Sequence, residues 1–211
     1  LDGNDYIEDA IANGASVVLS DSSLVKEKEN IFYVEDLKKK IGIYSSRFYG
    51  HPSSKLKTIC VTGTNGKTTT VETLANLGTL LKENCSFMST INFSINDKIK
   101  EESDLTTPDP ITINKNISEA LSQRAEYIAM EASSHGLTQG RLTGIDIDYA
   151  ILTSFSQDHL DYHKDLESYK LAKRSLFFDL RPKNNLICID SSFGKEIYSE
   201  LKNINPNTYS I

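Results

Sequence analysis

The sequence predicts an α/β protein: a doubly wound, mostly parallel sheet carrying a P-loop, preceded by a small partial α/β domain. Two observations predict it. From residue 57 onward, apolar runs that read as buried strands alternate with segments of helical periodicity, the pattern of a parallel sheet covered by helices. Between the first such run and the first such helix lies Gly63-Thr64-Asn65-Gly66-Lys67-Thr68-Thr69-Thr70, a glycine-rich turn of the kind that cradles nucleotide phosphates.

The first fifty residues read as a small α/β piece. A short helix is expected over 6–12, with Gly14 just past its end, and buried strands over 15–19 and 31–34. Leu37, Ile41, Tyr44 and Phe48 form a helical stripe over 35–49. His51-Pro52-Ser53-Ser54 then breaks the pattern, which divides the chain into residues 1–52 and a nucleotide domain over 53–211. Within the latter, strands are expected near 58–61, 85–89, 127–130, 149–153 and 186–189. Helices are expected near 67–81, 111–124, 167–180 and 193–201. Ligands of such sheets bind beyond the carboxyl ends of the strands.

Composition narrows the class. The 211 residues are 38% hydrophobic and 25% charged, as in a globular protein, and no apolar run approaches the ~20 residues of a membrane span. No charged–apolar–small series marks a secretion signal. A net charge of −6 argues against general nucleic-acid binding. Cys60, Cys85 and Cys188 are each expected in a strand, as buried thiols in a reducing compartment.

In the glycine-rich turn, Gly63 and Gly66 let backbone N–H groups converge on phosphate oxygens, and the helix start adds unpaired N–H groups. Lys67 is placed for the outer phosphates and the Thr68 hydroxyl for Mg²⁺. The turn is shorter than the general P-loop, which would need glycine where this chain has Val61. Glu131 ends a predicted strand. It reads equally as a Mg²⁺ ligand or as a solvated acid beside a helix cap made by Ser133 or Ser134. The cluster Asp158-His159-Leu160-Asp161-Tyr162-His163 suggests metal or phosphate chemistry, or simply a polar loop. Lys173 falls on one helix face with Tyr169, Leu176 and Leu180, and so points inward. Burial favours a neutral amine, which can take up CO₂ to become a carbamate. Pattern alone favours the other reading, a lysine that snorkels to a carboxylate or to solvent. Thr106-Thr107-Pro108-Asp109-Pro110 is a polar turn that either starts a helix or offers its hydroxyls to a substrate.

Taken in order, GTNGKTTT (63–70), TTPDP (106–110), EASSHGLTQGRL (131–142) and DHLDYHKDLESYKLAK (158–173) resemble the Mur ligases, and among them the members that build the muramyl tripeptide. The resemblance covers nearly the whole chain, with residues 1–52 similar to the end of the family's amino-terminal UDP-substrate domain. It implies a cytoplasmic, ADP-forming amide ligase of peptidoglycan synthesis. Monomer is the default expectation, and charge and composition point to no nucleic-acid or membrane partner. The reaction adds a diamino acid, meso-diaminopimelate or L-lysine, to UDP-N-acetylmuramoyl-L-alanyl-D-glutamate through an acyl phosphate. It implies that Gly63, Thr64, Asn65, Gly66, Lys67, Thr68 and Thr69 hold ATP. Thr68 and Glu131 would ligate one Mg²⁺, and His159 with carbamylated Lys173 a second, with Mn²⁺ as a substitute. Thr106, Thr107, Ser133, Gln139 and Arg141 would hold the UDP-muramoyl peptide, while Leu105 replaces an asparagine common in the family. The family has three domains, so a fragment without the carboxy-terminal one is expected to show little ligase activity. The competing readings are a related ligase, such as folylpolyglutamate synthetase, and a noncatalytic nucleotide-binding module.

Overall fold

The computed structural model describes residues 2–23, 30–96, 98–102, 105–156 and 162–211. The chain forms two compact units, Leu1–Ile41 and Gly42–Ile211. In the first, a 3₁₀ turn (Gly3–Tyr6) leads into α1 (Ile7–Ala12), and β1 (Val18–Ser20) pairs in parallel with β2 (Ile31–Tyr33). The Asp2 carboxylate caps the turn by accepting from the Asn4 amide. Helix α2 (Leu37–Phe48) begins in this unit and ends in the second.

The second unit is built on an eight-stranded sheet. Its strands are β3 (Lys57–Thr62), β4 (Cys85–Met88), β5 (Asn92–Ile95), β6 (Lys98–Glu102), β7 (Tyr127–Glu131), β8 (Tyr149–Leu152), β9 (Asn184–Ile187) and β10 (Thr208–Ser210). Their order is β10-β9-β8-β3-β7-β4-β5-β6. Six strands run parallel; β5 and β6 close one edge as an antiparallel hairpin. The helices are α3 (Lys67–Leu80), α4 (Pro110–Ser122), α5 (Ser134–Thr138), α6 (Leu166–Phe178) and α7 (Ser192–Ile204).

The central strands are buried on both faces, and alternate residues divide between two cores. Cys60, Ile128, Met130, Ala150 and Leu152 join Ile113 and Ile117 of α4, Leu176 and Phe177 of α6, and Phe193 and Ile197 of α7. Val61, Ala129 and Ile151 turn the other way, onto Val71 of α3. This double cover is why these strands read as continuous apolar runs rather than alternating ones.

The five predicted strands and four helices of this unit are present, with ends shifted by a few residues. The edge elements were not anticipated. β6 is exposed at every position and carries two lysines and two glutamates, a composition that protects an edge from pairing with another chain and hides it from a search for apolar runs. α5 has five residues, too few for periodicity to show. Two expectations are corrected. β1 and β2 are present but only partly buried, with Leu19, Phe32 and Tyr33 at the surface. Cys60 and Cys85 are buried in β3 and β4, but Cys188 lies just past the end of β9 and is only half-buried.

Candidate functional site

The parallel strands end together, and the polar segments collect beyond β3, β7 and β8. The turn after β3 depends on its glycines. Gly63 has φ +155°, and a Cβ there would stand 2.0 Å from Thr153 Oγ1. Gly66 has φ +85° and opens α3 with no side-chain cap, whereas serine or aspartate side chains cap α4, α5, α6 and α7. The first amides of α3 therefore face a place where an anion can supply the cap. The turn is tied to the segment after β8. Thr64 N donates to Ser154 O (3.0 Å), Asn65 N to Ser154 Oγ (3.0 Å), and Thr153 Oγ1 to Asn65 O (2.7 Å). The amides of Thr64 and Asn65 thus serve the fold.

Two lysine amino groups meet below the turn. Lys67 Nζ donates to Gly63 O (2.9 Å) and Thr64 O (3.0 Å), and Lys173 Nζ donates to the same Gly63 O (2.8 Å). Lys173 is 1% exposed, on α6, with its Nζ 4.5 Å from the centre of the Tyr169 ring. It points inward as the helical stripe predicts. It does not reach solvent, and a backbone carbonyl of the turn receives it.

Glu131, at the end of β7, is 1% exposed, so it is not the solvated acid of the simpler reading. Its Oε1 accepts from Thr68 Oγ1 (2.8 Å), Thr90 N (2.8 Å) and Thr90 Oγ1 (3.1 Å). Its Oε2 is buried and has no hydrogen-bond partner among the described residues. A buried carboxylate oxygen without a donor is costly unless a cation meets it. Thr68 and Glu131 supply hard oxygen donors beside a phosphate loop, so these residues fit Mg²⁺. Ser133, two residues on, caps α5 through a bond from Gly136 N (3.1 Å), so cap and buried acid coexist.

Opposite lies a polar wall. Thr107 Oγ1 donates to Glu131 O (2.8 Å) and accepts from Ser133 N (2.9 Å). Arg141 donates from Nε (3.0 Å) and NH2 (2.7 Å) to Gln139 Oε1, and from NH1 to Thr107 O. Thr106 Oγ1 meets Thr90 Oγ1 at 3.2 Å. Asp109 caps α4, taking bonds from the amides of Ile111 (2.9 Å) and Thr112 (3.1 Å). Burial raises its carboxyl pKa, but the bonds from Thr112 and Ile111 together outweigh that and hold it below the usual value. Asp109 and Pro110 start α4, the first of the two readings of the TTPDP turn, while Thr106 and Thr107 line the cavity.

One cavity of about 430 Å³ gathers Thr64, Asn65, Gly66, Lys67, Thr68, Thr106, Thr107, Glu131, Ser133, Gln139, Arg141 and Lys173. Gly63 shapes the turn from behind, and Thr69 is the third residue of α3, outside the lining. His159 falls outside the described residues. His163 is buried beside the rings of Tyr162, Tyr169 and His135 rather than in a polar loop. Sequence reasoning missed Thr90, Thr153, Ser154, His135 and Tyr162. Thr153 ends a predicted strand, and Ser154 and Thr90 each immediately follow one, a signal that could have found them.

A phosphate-type loop, a buried acid and a cationic wall at the strand ends of a doubly wound sheet define a nucleotide-site α/β architecture. The chain matches the Mur ligase middle domain over residues 61–211, and it belongs to the Mur ligase family. It is 40% identical, over its whole length, to UDP-N-acetylmuramoyl-L-alanyl-D-glutamate--2,6-diaminopimelate ligase of Fusobacterium nucleatum subsp. nucleatum, and spans 43% of that protein. A solved structure of a ligase of the same name superposes with a TM-score of 0.83 at 34% identity, covering 98% of this chain and 42% of the other. Folylpolyglutamate synthase of Mycobacterium tuberculosis, complexed with ADP and AMPPCP, shares the fold alone: TM-score 0.66, 14% identity, covering 82% and 47%. The chain thus spans less than half the length of the relatives it matches.

Proposed function

We propose that residues 53–211 form the ATP-binding domain of a cytoplasmic, ADP-forming amide ligase, and that residues 1–52 end its UDP-substrate domain. The ligase adds a diamino acid to UDP-N-acetylmuramoyl-L-alanyl-D-glutamate in peptidoglycan synthesis. Meso-diaminopimelate is favoured over L-lysine by the names of the relatives. The enzyme works as a monomer on small molecules, away from nucleic acid and membrane; among the described residues no helix is long and apolar enough to cross a membrane.

The observation that carries this reading is the Glu131 carboxylate, bound on one oxygen by Thr68 and Thr90 and, among the described residues, left unpartnered on the other, beside the glycine turn. The family is ATP- and Mg²⁺-dependent in general. When bound, ATP supplies the phosphoryl group that turns the D-glutamate carboxylate into an acyl phosphate, with Mg²⁺ neutralising its charge, so that the amine of the diamino acid can attack. The protein's part is to position and to neutralise. Lys67 leaves the turn carbonyls for the outer phosphates, Thr68 and Glu131 hold Mg²⁺, and Arg141 and Thr107 orient the muramoyl peptide. Lys173, whose amine is buried at the turn, would in its neutral form take up CO₂, with a C–N bond formed and one proton released, and the carbamate oxygens together with His159 would hold a second Mg²⁺ or Mn²⁺.

Assayed in a protein of the relatives' full length that carries these residues, ADP release requires both the UDP-muramoyl dipeptide and the diamino acid. Release that instead requires a folate and glutamate, or neither substrate, overturns the proposal.

A further inference from the structure

Gln139 and Arg141 line the cavity, yet both are on the chain after α5 and Gln139 is exposed, so something must hold their geometry. Arg141 offers only donors, and two of them converge on Gln139 Oε1. That orientation fixes the other end of the amide: Gln139 Nε2 must find an acceptor. It donates to Tyr162 OH at 3.2 Å. The Tyr162 ring lies over His135, which also lines the cavity, with centroids 3.8 Å apart. Tyr162 therefore touches two members of the wall at once, one through its hydroxyl and one through its ring.

We propose that Tyr162 is a positioning residue: its hydroxyl keeps the Gln139 amide turned with its oxygen toward Arg141, which presents the guanidinium to the anionic, carboxylate-bearing end of the substrate. The chain of contacts runs Tyr162–Gln139–Arg141–Thr107 and ends on the backbone carbonyl of Glu131. It places the substrate wall in register with the strand that carries the metal-facing acid. Guanidinium–carboxylate pairs gain from fixed planar geometry, so loosening the fork weakens binding without removing charge. The choice of substrate rests on the function proposed above; the hydrogen-bond relay does not.

Two readouts test it, exchange on this chain and substrate affinity on a protein of the relatives' full length. Solvent exchange of the Arg141 Nε–H, followed by NMR, is expected to quicken about threefold to tenfold in Tyr162→Phe, as loss of one hydrogen bond implies. Affinity for UDP-N-acetylmuramoyl-L-alanyl-D-glutamate is expected to fall by a similar factor, while Mg–ATP affinity and thermal stability stay unchanged. In a Gln139→Ala background, Tyr162→Phe should have no further effect on substrate affinity, since the relay is already cut. Unchanged exchange in Tyr162→Phe, or losses that simply add in the double variant, overturns the inference. If the unaltered protein of the relatives' full length fails to bind the muramoyl dipeptide, the substrate reading falls, and the exchange measurement still decides the role of Tyr162.

Discussion

Replacing Glu131 by glutamine separates the architecture of this site from its chemistry. The side chain is isosteric and keeps an oxygen for the three donors on Oε1, from Thr68 Oγ1, Thr90 N and Thr90 Oγ1. Those bonds become neutral–neutral and lose roughly half their strength, about 0.5–1.5 kcal/mol each. Against this, a carboxylate that is 1% exposed, with one oxygen unpartnered among the described residues, is replaced by a neutral group, which relieves several kcal/mol of desolvation. The two effects are of similar size, so the ligand-free variant should unfold close to the parent temperature. The response to Mg–ATP should not survive. At a concentration of about 100 Kd, a ligand stabilises by about 2.7 kcal/mol, or about 5–11 °C for a unit of this size. Removal of a carboxylate ligand that weakens the complex about a hundredfold leaves about 0.4 kcal/mol, or about 1–2 °C, at the same concentration. Thermal melts of both proteins with and without Mg–ATP make the comparison. An undiminished Mg-dependent gain in Glu131→Gln would refute the assignment of that oxygen to the metal.

Four further outcomes are expected. Gly63→Ala, whose Cβ would meet Thr153 Oγ1 at 2.0 Å, should destabilise by about 2–4 kcal/mol in denaturant titrations, and a neutral result would mean the turn is not as close to β8 as described. With ¹³C-labelled bicarbonate, the protein should give a carbamate resonance that disappears in Lys173→Met; its absence in the parent would remove the second metal site as drawn. Asp109 has a lowered folded-state pKa, so its contribution is complete above its unfolded value near 3.8 and is lost as pH falls through the folded one. Asp109→Ala should therefore cost about 1 kcal/mol at pH 7 and much less at pH 2, read from urea midpoints. Burial pushes the Cys60 thiol well above its ordinary pKa, so half-buried Cys188 should be alkylated first in native protein, and mass spectrometry identifies the order.

Much of this molecule is legible in its residues because the central strands must be apolar on both faces. β3, β7 and β8 therefore announce themselves, and so do the glycines that turn the chain at the end of β3. Lys173 was placed inward by simple helical spacing from Tyr169 and Leu176, and it lies there, 1% exposed. Its destination was not readable. A backbone carbonyl at Gly63, 110 residues away in sequence, leaves no mark in a local pattern. The contact of Thr90 escaped for the same reason: it is an ordinary residue after a predicted strand, and only the parallel pairing of β4 with β7 carries it to Glu131. The hairpin β5–β6 was missed because edge strands are charged by necessity, which erases the signal that reveals a core strand.

The account depends most on where the metal and phosphates bind. A crystal grown with Mn²⁺ and a non-hydrolysable ATP analogue gives the answer through the anomalous signal of the metal. The account predicts a peak about 2.0–2.3 Å from Thr68 Oγ1 and from a Glu131 oxygen, with the phosphates against the first amides of α3 and Lys67 turned away from Gly63 O. A metal bound elsewhere, or a nucleotide whose phosphates avoid the Gly63–Thr68 turn, would contradict it.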